Sequence, residues 1–156
     1  LAEKFLLKNG FGVVFNDKFK AVTKSGEQPD CIGFRSGVSC LIECKTSRSD
    51  FLADRKKRFR VDPNLGMGDW RFMLVPKGLI TTEELPDGWG LLETDGRRVY
   101  KKHGWPSNMD WIDGVTGKPY TACKWSEQSM MYSALRRMHI RGHLKEIYHG
   151  LPGDTK

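Results

Sequence analysis

Nowhere in this 156-residue chain is there an apolar run of the roughly 18 residues that a membrane-crossing helix needs. No secretory leader is legible at its start. Internal repeats and low-complexity stretches are lacking too. Cysteine is scarce. Cys31, Cys40, Cys44 and Cys123 form no CxxC pair and no cysteine–histidine spacing of a zinc finger. Three of the four fall in strand-like sequence, where a free thiol behaves as a small apolar core group. Free thiols suit a reducing, cytoplasmic compartment. His139 and His143 are four residues apart, but no glutamate stands between them as in a HExxH zinc site, so they read as surface residues.

What is present is charge and enough apolar sequence for one domain spanning residues 1–156. Apolar residues make up 38% and charged residues 29%, the balance of a folded domain with its own core. Lys and Arg number 26 against 19 Asp and Glu, a net charge of +7, which favours polyanionic partners without identifying one.

The pattern predicts a helix over residues 1–9, stopped at Gly10, then a strand over 11–15. Residues 16–28 show no period. Residues 30–35 and 38–45 are strand-like and flank Ser36-Gly37, which fits a two-residue hairpin turn. A helix is expected from Ser49 as N-cap, with Asp50 in its first turn, to the residues before Pro63. Residues 70–75 read as a strand. Residues 89–93 and 97–101 read as a second hairpin around Asp95-Gly96. Residues 104–124 look irregular. A long helix is expected over 126–149, with Met130, Met131, Ala134, Leu135 and Met138 on one stripe, as core or as a homodimer face. Trp70 and Trp89 read as core.

Chemistry concentrates on the first hairpin. With Ser36 and Gly37 as the loop, Arg35 pairs with Val38, and counting outward brings Asp30 opposite Glu43. Facing residues have Cβ atoms about 4.5–5.5 Å apart, where two like charges repel unless a cation joins them. Alternation places Val38, Cys40, Ile42 and Cys44 on one face and Ser39, Leu41, Glu43 and Lys45 on the other. Glu43 and Lys45 therefore project together, about 6.6 Å apart along the strand. Two carboxylates supply hard oxygen ligands for Mg²⁺, with Mn²⁺ as a substitute, and the Cys44 carbonyl is placed to add another.

Pro29-Asp30, followed after twelve residues by Glu43-Cys44-Lys45, resembles the signature of the PD-(D/E)xK nuclease superfamily, including its Holliday-junction-resolvase, VRR-type and phage-encoded members. The resemblance implies an α/β, restriction-endonuclease-like αβββαβ core. The predicted order matches that core over residues 1–76, with an extra hairpin and a C-terminal helix over 77–156 as elaboration. It implies a Mg²⁺-dependent phosphodiesterase, most readily a DNA endonuclease, encoded by a bacterium or phage and working in the host cytoplasm. Asp30, Glu43 and Lys45 would be catalytic. Asp30, Glu43 and the Cys44 carbonyl would bind metal, and Glu3 on the first helix is the position at which some relatives add a further ligand.

The basic run 55–60, with Arg55, Lys56, Lys57 and Arg58, follows closely, and with Arg48 it forms a candidate clamp for the phosphate backbone. Its alternative is a solvated helix face. Trp105, Trp111, Tyr120 and Trp125 read as loop packing before base stacking. The rival functions are a non-catalytic nucleic-acid-binding module and an RNA-directed nuclease of the same fold. A protein-interaction domain is a third.

Overall fold

The computed structural model describes residues 1–111 and 117–151. The elements run α1 (Ala2–Lys8), β1 (Val13–Asn16), β2 (Cys31–Arg35), β3 (Val38–Cys44), α2 (Arg48–Asp54), α3 (Arg58–Val61), β4 (Trp70–Pro76), β5 (Trp89–Thr94), β6 (Val99–His103) and α4 (Lys124–Ile140). The six strands form one mixed sheet in sequence order. β3, β4 and β5 are parallel, and the remaining pairs are antiparallel. β1, β3, β4 and β5 consequently point the same way. Their last residues, Asn16, Cys44, Pro76 and Thr94, gather at one end of the sheet, where β2 begins.

Both faces of the sheet are covered. Alternation sends Cys40 and Ile42 to one face, where Ala2 and Leu6 of α1, Phe72 and Trp111 complete a core. It sends Leu41 to the other, with Phe51 of α2, Met73, Leu91 and Met130. Parallel strands need this double cover, and β3 and β4 are buried almost throughout. Trp70 and Trp89 are core as predicted, and so is Trp111. Trp105 packs edge-on to Phe5 and Trp111. The predicted second hairpin forms, but β5 lies beside β4 in the main sheet, so residues 77–103 complete the fold instead of decorating it.

Three expectations need correction. The cap of α2 is Ser47, whose side chain accepts from the Asp50 N–H at 3.2 Å, not Ser49. The helix does not continue to Pro63. It stops at Asp54, turns at residues 55–57 and restarts as α3. The long C-terminal helix ends at Ile140. Gly142 takes φ +81°, the His143 N–H bonds the Met138 carbonyl, and the Gly142 N–H bonds that of His139. This paired closure terminates a helix, and glycine adopts the required conformation without strain. The methionine stripe on α4 divides: Met130 is buried, while Met131, Leu135 and Met138 are exposed. Of the irregular stretch predicted over 104–124, positions 112–116 lie outside the described residues.

Candidate active site

The first hairpin has the register read from its turn. Arg35 pairs with Val38, and the ladder runs to Cys31 opposite Ile42. Asp30 immediately precedes β2, next to the Cys31–Ile42 pair, and its charge acts on Glu43 near the carboxyl end of β3. Asp30 Oδ2 accepts the Cys44 N–H at 2.8 Å, which fixes the acid across the hairpin. The sequence suggested a half-buried patch. Instead Glu43 and Lys45 are 3% and 4% exposed, so their pairing is not a surface ion pair.

α2 begins four residues after β3 and closes over this end of the sheet. It brings Asp54, 1% exposed, to within 3.1 Å of Lys45 Nζ, with Asp50 at 4.0 Å. Arg60 returns from α3 into the same space. Its guanidinium meets Asp54 Oδ2 at 2.7 Å, Glu27 Oε1 at 2.5 Å and Glu43 Oε1 at 3.3 Å. In an unbroken helix a residue six positions on from Asp54 would point about 120° away from it. The turn at residues 55–57 is what allows Arg60 to fold back. Glu27, otherwise in a segment without period, is anchored by accepting the Met67 N–H at 2.6 Å.

The contacts are unequal. Lys57 reaches Asp54 at 2.7 Å, and Arg60 holds Asp54 and Glu27 at the distances of strong charge-assisted bonds. Glu43 has only 3.3 Å contacts, one to Lys45 and one to Arg60 Nη2, and that nitrogen finds no hydrogen bond. Glu43 is thus the loosely held acid of a buried cluster. Its pKa rises to about 7 because burial disfavours its charge, and the nearby Asp30 and Asp54 carboxylates add to this. Arg60 and Lys45 oppose the rise without cancelling it. Asp54 behaves oppositely. Burial works against its charge, but Arg60, Lys57 and Lys45 outweigh that and lower it to about 2. Lys45 likewise suffers from burial, yet Glu43 and Asp54 hold it above the ordinary lysine range. It is protonated at neutral pH.

Four carboxylates (Glu27, Glu43, Asp50 and Asp54) share three cations, Lys45, Lys57 and Arg60. Asp30, whose charge also bears on Glu43, is a fifth acid. The charge of Arg71 reaches Glu27, but its N–H groups go to the carbonyls of Pro63, Gly66 and Gly68. Even with Arg71 counted, the acids outnumber the cations.

The predicted residues separate into groups. Glu43 and Lys45 pair directly, and Asp30 is joined to the same strand through the Cys44 N–H, with its charge acting on Glu43. Glu3 lies on α1, whose core contacts are on the opposite face of the sheet, and its Oε2 accepts from Asn16 at 2.8 Å. Its charge and that of Asp30 both bear on the Cys31 thiol, but no contact joins it to Glu43. Arg48 is tied to Glu84 by an ion pair and to the Leu79 carbonyl, and Arg55 donates to the Glu84 carbonyl. Lys57 is committed to Asp54, and Lys56 and Arg58 are exposed. Sequence reasoning missed Glu27, Asp54 and Arg60. Asp54 carried a signal, since it shares a helix face with Asp50 just after the Glu43–Lys45 strand. Arg60 was hidden in a basic run, and Glu27 had no signal.

A divalent cation is a reasonable fit. A buried carboxylate held only by 3.3 Å contacts, a second carboxylate whose charge acts on it, and more acids than cations nearby are features a hard cation can use. Among the described residues no group of three acids, histidines or cysteines is arranged to hold one, so the donors would be Asp30, Glu43 and a backbone carbonyl.

No family model matches this chain, and no curated protein does. The chain is similar in structure to a solved protein of unknown function from Silicibacter pomeroyi, 25% identical, with a TM-score of 0.56, the match covering 98% of this chain and 91% of that one.

Proposed function

We propose that this chain is a divalent-metal-dependent nuclease of the PD-(D/E)xK type, with a restriction-endonuclease-like core, acting most readily as a DNA endonuclease. The observation that carries the reading is the loosely paired, buried Glu43, near Asp30 across the hairpin and beside the protonated Lys45. Asp30, Glu43 and the Cys44 carbonyl would hold Mg²⁺, or Mn²⁺ in its place. There the metal would lower the pKa of a bound water and polarise the phosphoryl oxygens. Lys45 stays protonated, so it does not remove a proton. It offsets charge that builds on the phosphate and orients the attacking water. Asp54 fixes where the Lys45 ammonium points, and Arg60 holds Asp54 in turn. Exposed Lys56 and Arg58 are free to contact the backbone of a substrate.

The test is a panel of branched, duplex and single-stranded DNA, with matched RNA, incubated with Mg²⁺. Cleavage is expected on DNA, lost with EDTA and lost in Asp30→Asn. That variant keeps a side-chain oxygen to accept the Cys44 N–H, so it should stay folded. Turnover retained in Asp30→Asn would overturn the assignment, and preferential cleavage of RNA would move the substrate. A second reading, a nucleic-acid-binding module without turnover, draws on Arg60, because both Glu43 oxygens already face a cation. Binding that ignores EDTA, with no cleavage of any substrate, would select it.

A further inference from the structure

A groove of about 660 Å³ lies between α1 and the β5–β6 hairpin. Lys4 and Lys8 of α1 line one wall, and Arg97, Arg98 and Lys101 line the other. Phe5 lines it too, and the Lys101 ammonium sits over the Phe5 and Trp105 rings. No acidic residue is among those lining it. Asp95, at the hairpin turn, spends its carboxylate on the Arg97 and Arg98 N–H groups and on the Tyr100 hydroxyl. The Arg97 and Arg98 side chains are exposed. Five cations with no lining anion make a surface for an extended polyanion.

Topology gives the groove a direction. Arg97 and Arg98 follow Thr94, the last residue of β5, and Asp30 and Lys45 sit at the matching end of β3. The start of α1 is held to that end as well, because Glu3 accepts from Asn16, the last residue of β1. The groove and the acidic cluster therefore open at the same edge of the sheet, though α1 and α2 cover opposite faces. From β3 to β6 is three strand spacings, about 14 Å. A nucleic acid lying across this edge meets the cluster and the basic groove in one pass.

We infer that the groove between α1 and the β5–β6 hairpin is a phosphate-backbone track that holds the nucleic acid on one side of the cleavage point. The identity of the polyanion rests on the nuclease reading; the existence of the track does not. Arg48 and Lys57 are ion-paired to carboxylates, whereas none of the groove's cations has such a pair among the described residues.

The experiment compares the full chain with Lys4→Glu/Arg97→Glu/Arg98→Glu, and with a control of equal charge change on α4 and its C-cap, Lys124→Glu/Arg136→Glu/Arg141→Glu. Duplex DNA binding is measured by anisotropy in EDTA across 50–300 mM salt, and cleavage is measured separately with Mg²⁺. Removing three phosphate contacts should flatten the log affinity against log salt slope by about 3 and weaken binding at 50 mM salt about tenfold or more, whatever the sequence. The α4 control should keep the wild-type slope. An unchanged slope in the groove variant, or an equal loss in the control, would overturn the track. So would binding of polyglutamate in preference to DNA, which would mark an acidic protein partner. If the wild-type chain binds through the groove but never cleaves, the track stands and the nuclease reading fails. If the groove variant binds and cleaves like wild type, the reverse holds.

Discussion

Replacing Glu43 by glutamine should make the protein more stable at alkaline pH while abolishing its proposed activity. In the folded state the Glu43 carboxyl titrates near 7, against an ordinary value of 4.5, mainly because it is buried. Between those values the folded chain holds a proton that the unfolded chain has released. Stability from this group is full below about pH 4.5 and declines as pH rises through 7. The displacement from 4.5 to about 7 corresponds to about 3 kcal/mol, at roughly 1.36 kcal/mol per pH unit. Glutamine has the shape of the protonated acid and no proton to lose. Urea melts of wild type and E43Q should therefore agree near pH 4.5 and separate by about 1–3 kcal/mol in favour of E43Q at pH 8. Comparing the pair at each pH cancels the other titrating groups. Mg²⁺ should close or reverse that gap. A ligand at a hundred times its Kd stabilises by about 2.7 kcal/mol, and only the wild-type chain keeps both carboxylates to bind it. An E43Q chain no more stable than wild type at pH 8 would show that the ionised Glu43 is not the strained member of the cluster.

Other exchanges test the surroundings of that cluster. Lys45→Ala removes the cation between Glu43 and Asp54, two acids at most 3% exposed, so it should cost about 3–5 kcal/mol in a denaturant melt as well as activity; a melt within about 1 kcal/mol of wild type would contradict the buried pairing. Gly90→Ala should be destabilising by about 1–3 kcal/mol, because a Cβ there would come 2.8 Å from the His103 carbonyl oxygen and closer still to the Phe72 ring; an unchanged thermal midpoint would mean that β5 and β6 can part to admit a methyl group.

Much of this molecule was legible because short turns dictate register. Ser36-Gly37 fixed which residues of β2 and β3 face one another, and alternation then assigned Glu43 and Lys45 to one face without knowledge of the rest. The hairpin around Asp95-Gly96 followed in the same way. Depth was harder to read. Two charged residues at the end of a strand look like surface, and only α2 and α3 closing over them show otherwise. The break at residues 55–57 has no proline or glycine to announce it. It accompanies the capture of Arg60 by Asp54 and Glu27, a tertiary effect that local propensity does not contain. The stripe on α4 misled for a related reason. Helical spacing marks an apolar side of a helix but not whether the body of the protein reaches it. α4 is moored at its first turn, where Glu127 accepts the Gly68 N–H and the Cys123 N–H meets the Gly66 carbonyl, and later by Arg137, which donates to the Lys20 carbonyl, while Leu135 and Met138 stay exposed.

The outermost strand has a consequence for how copies of this protein coexist in solution. β6 ends the sheet, and an unpartnered strand border is a template on which another polypeptide can add itself. Here that border carries Lys101, Lys102 and His103, all exposed, and identical positive rims repel when they meet head-on. Concentrated salt, by screening that repulsion, would weaken a safeguard against aggregation as well as any grip on nucleic acid, so the purified protein should be least colloidally stable under the conditions that strip it of its ligand.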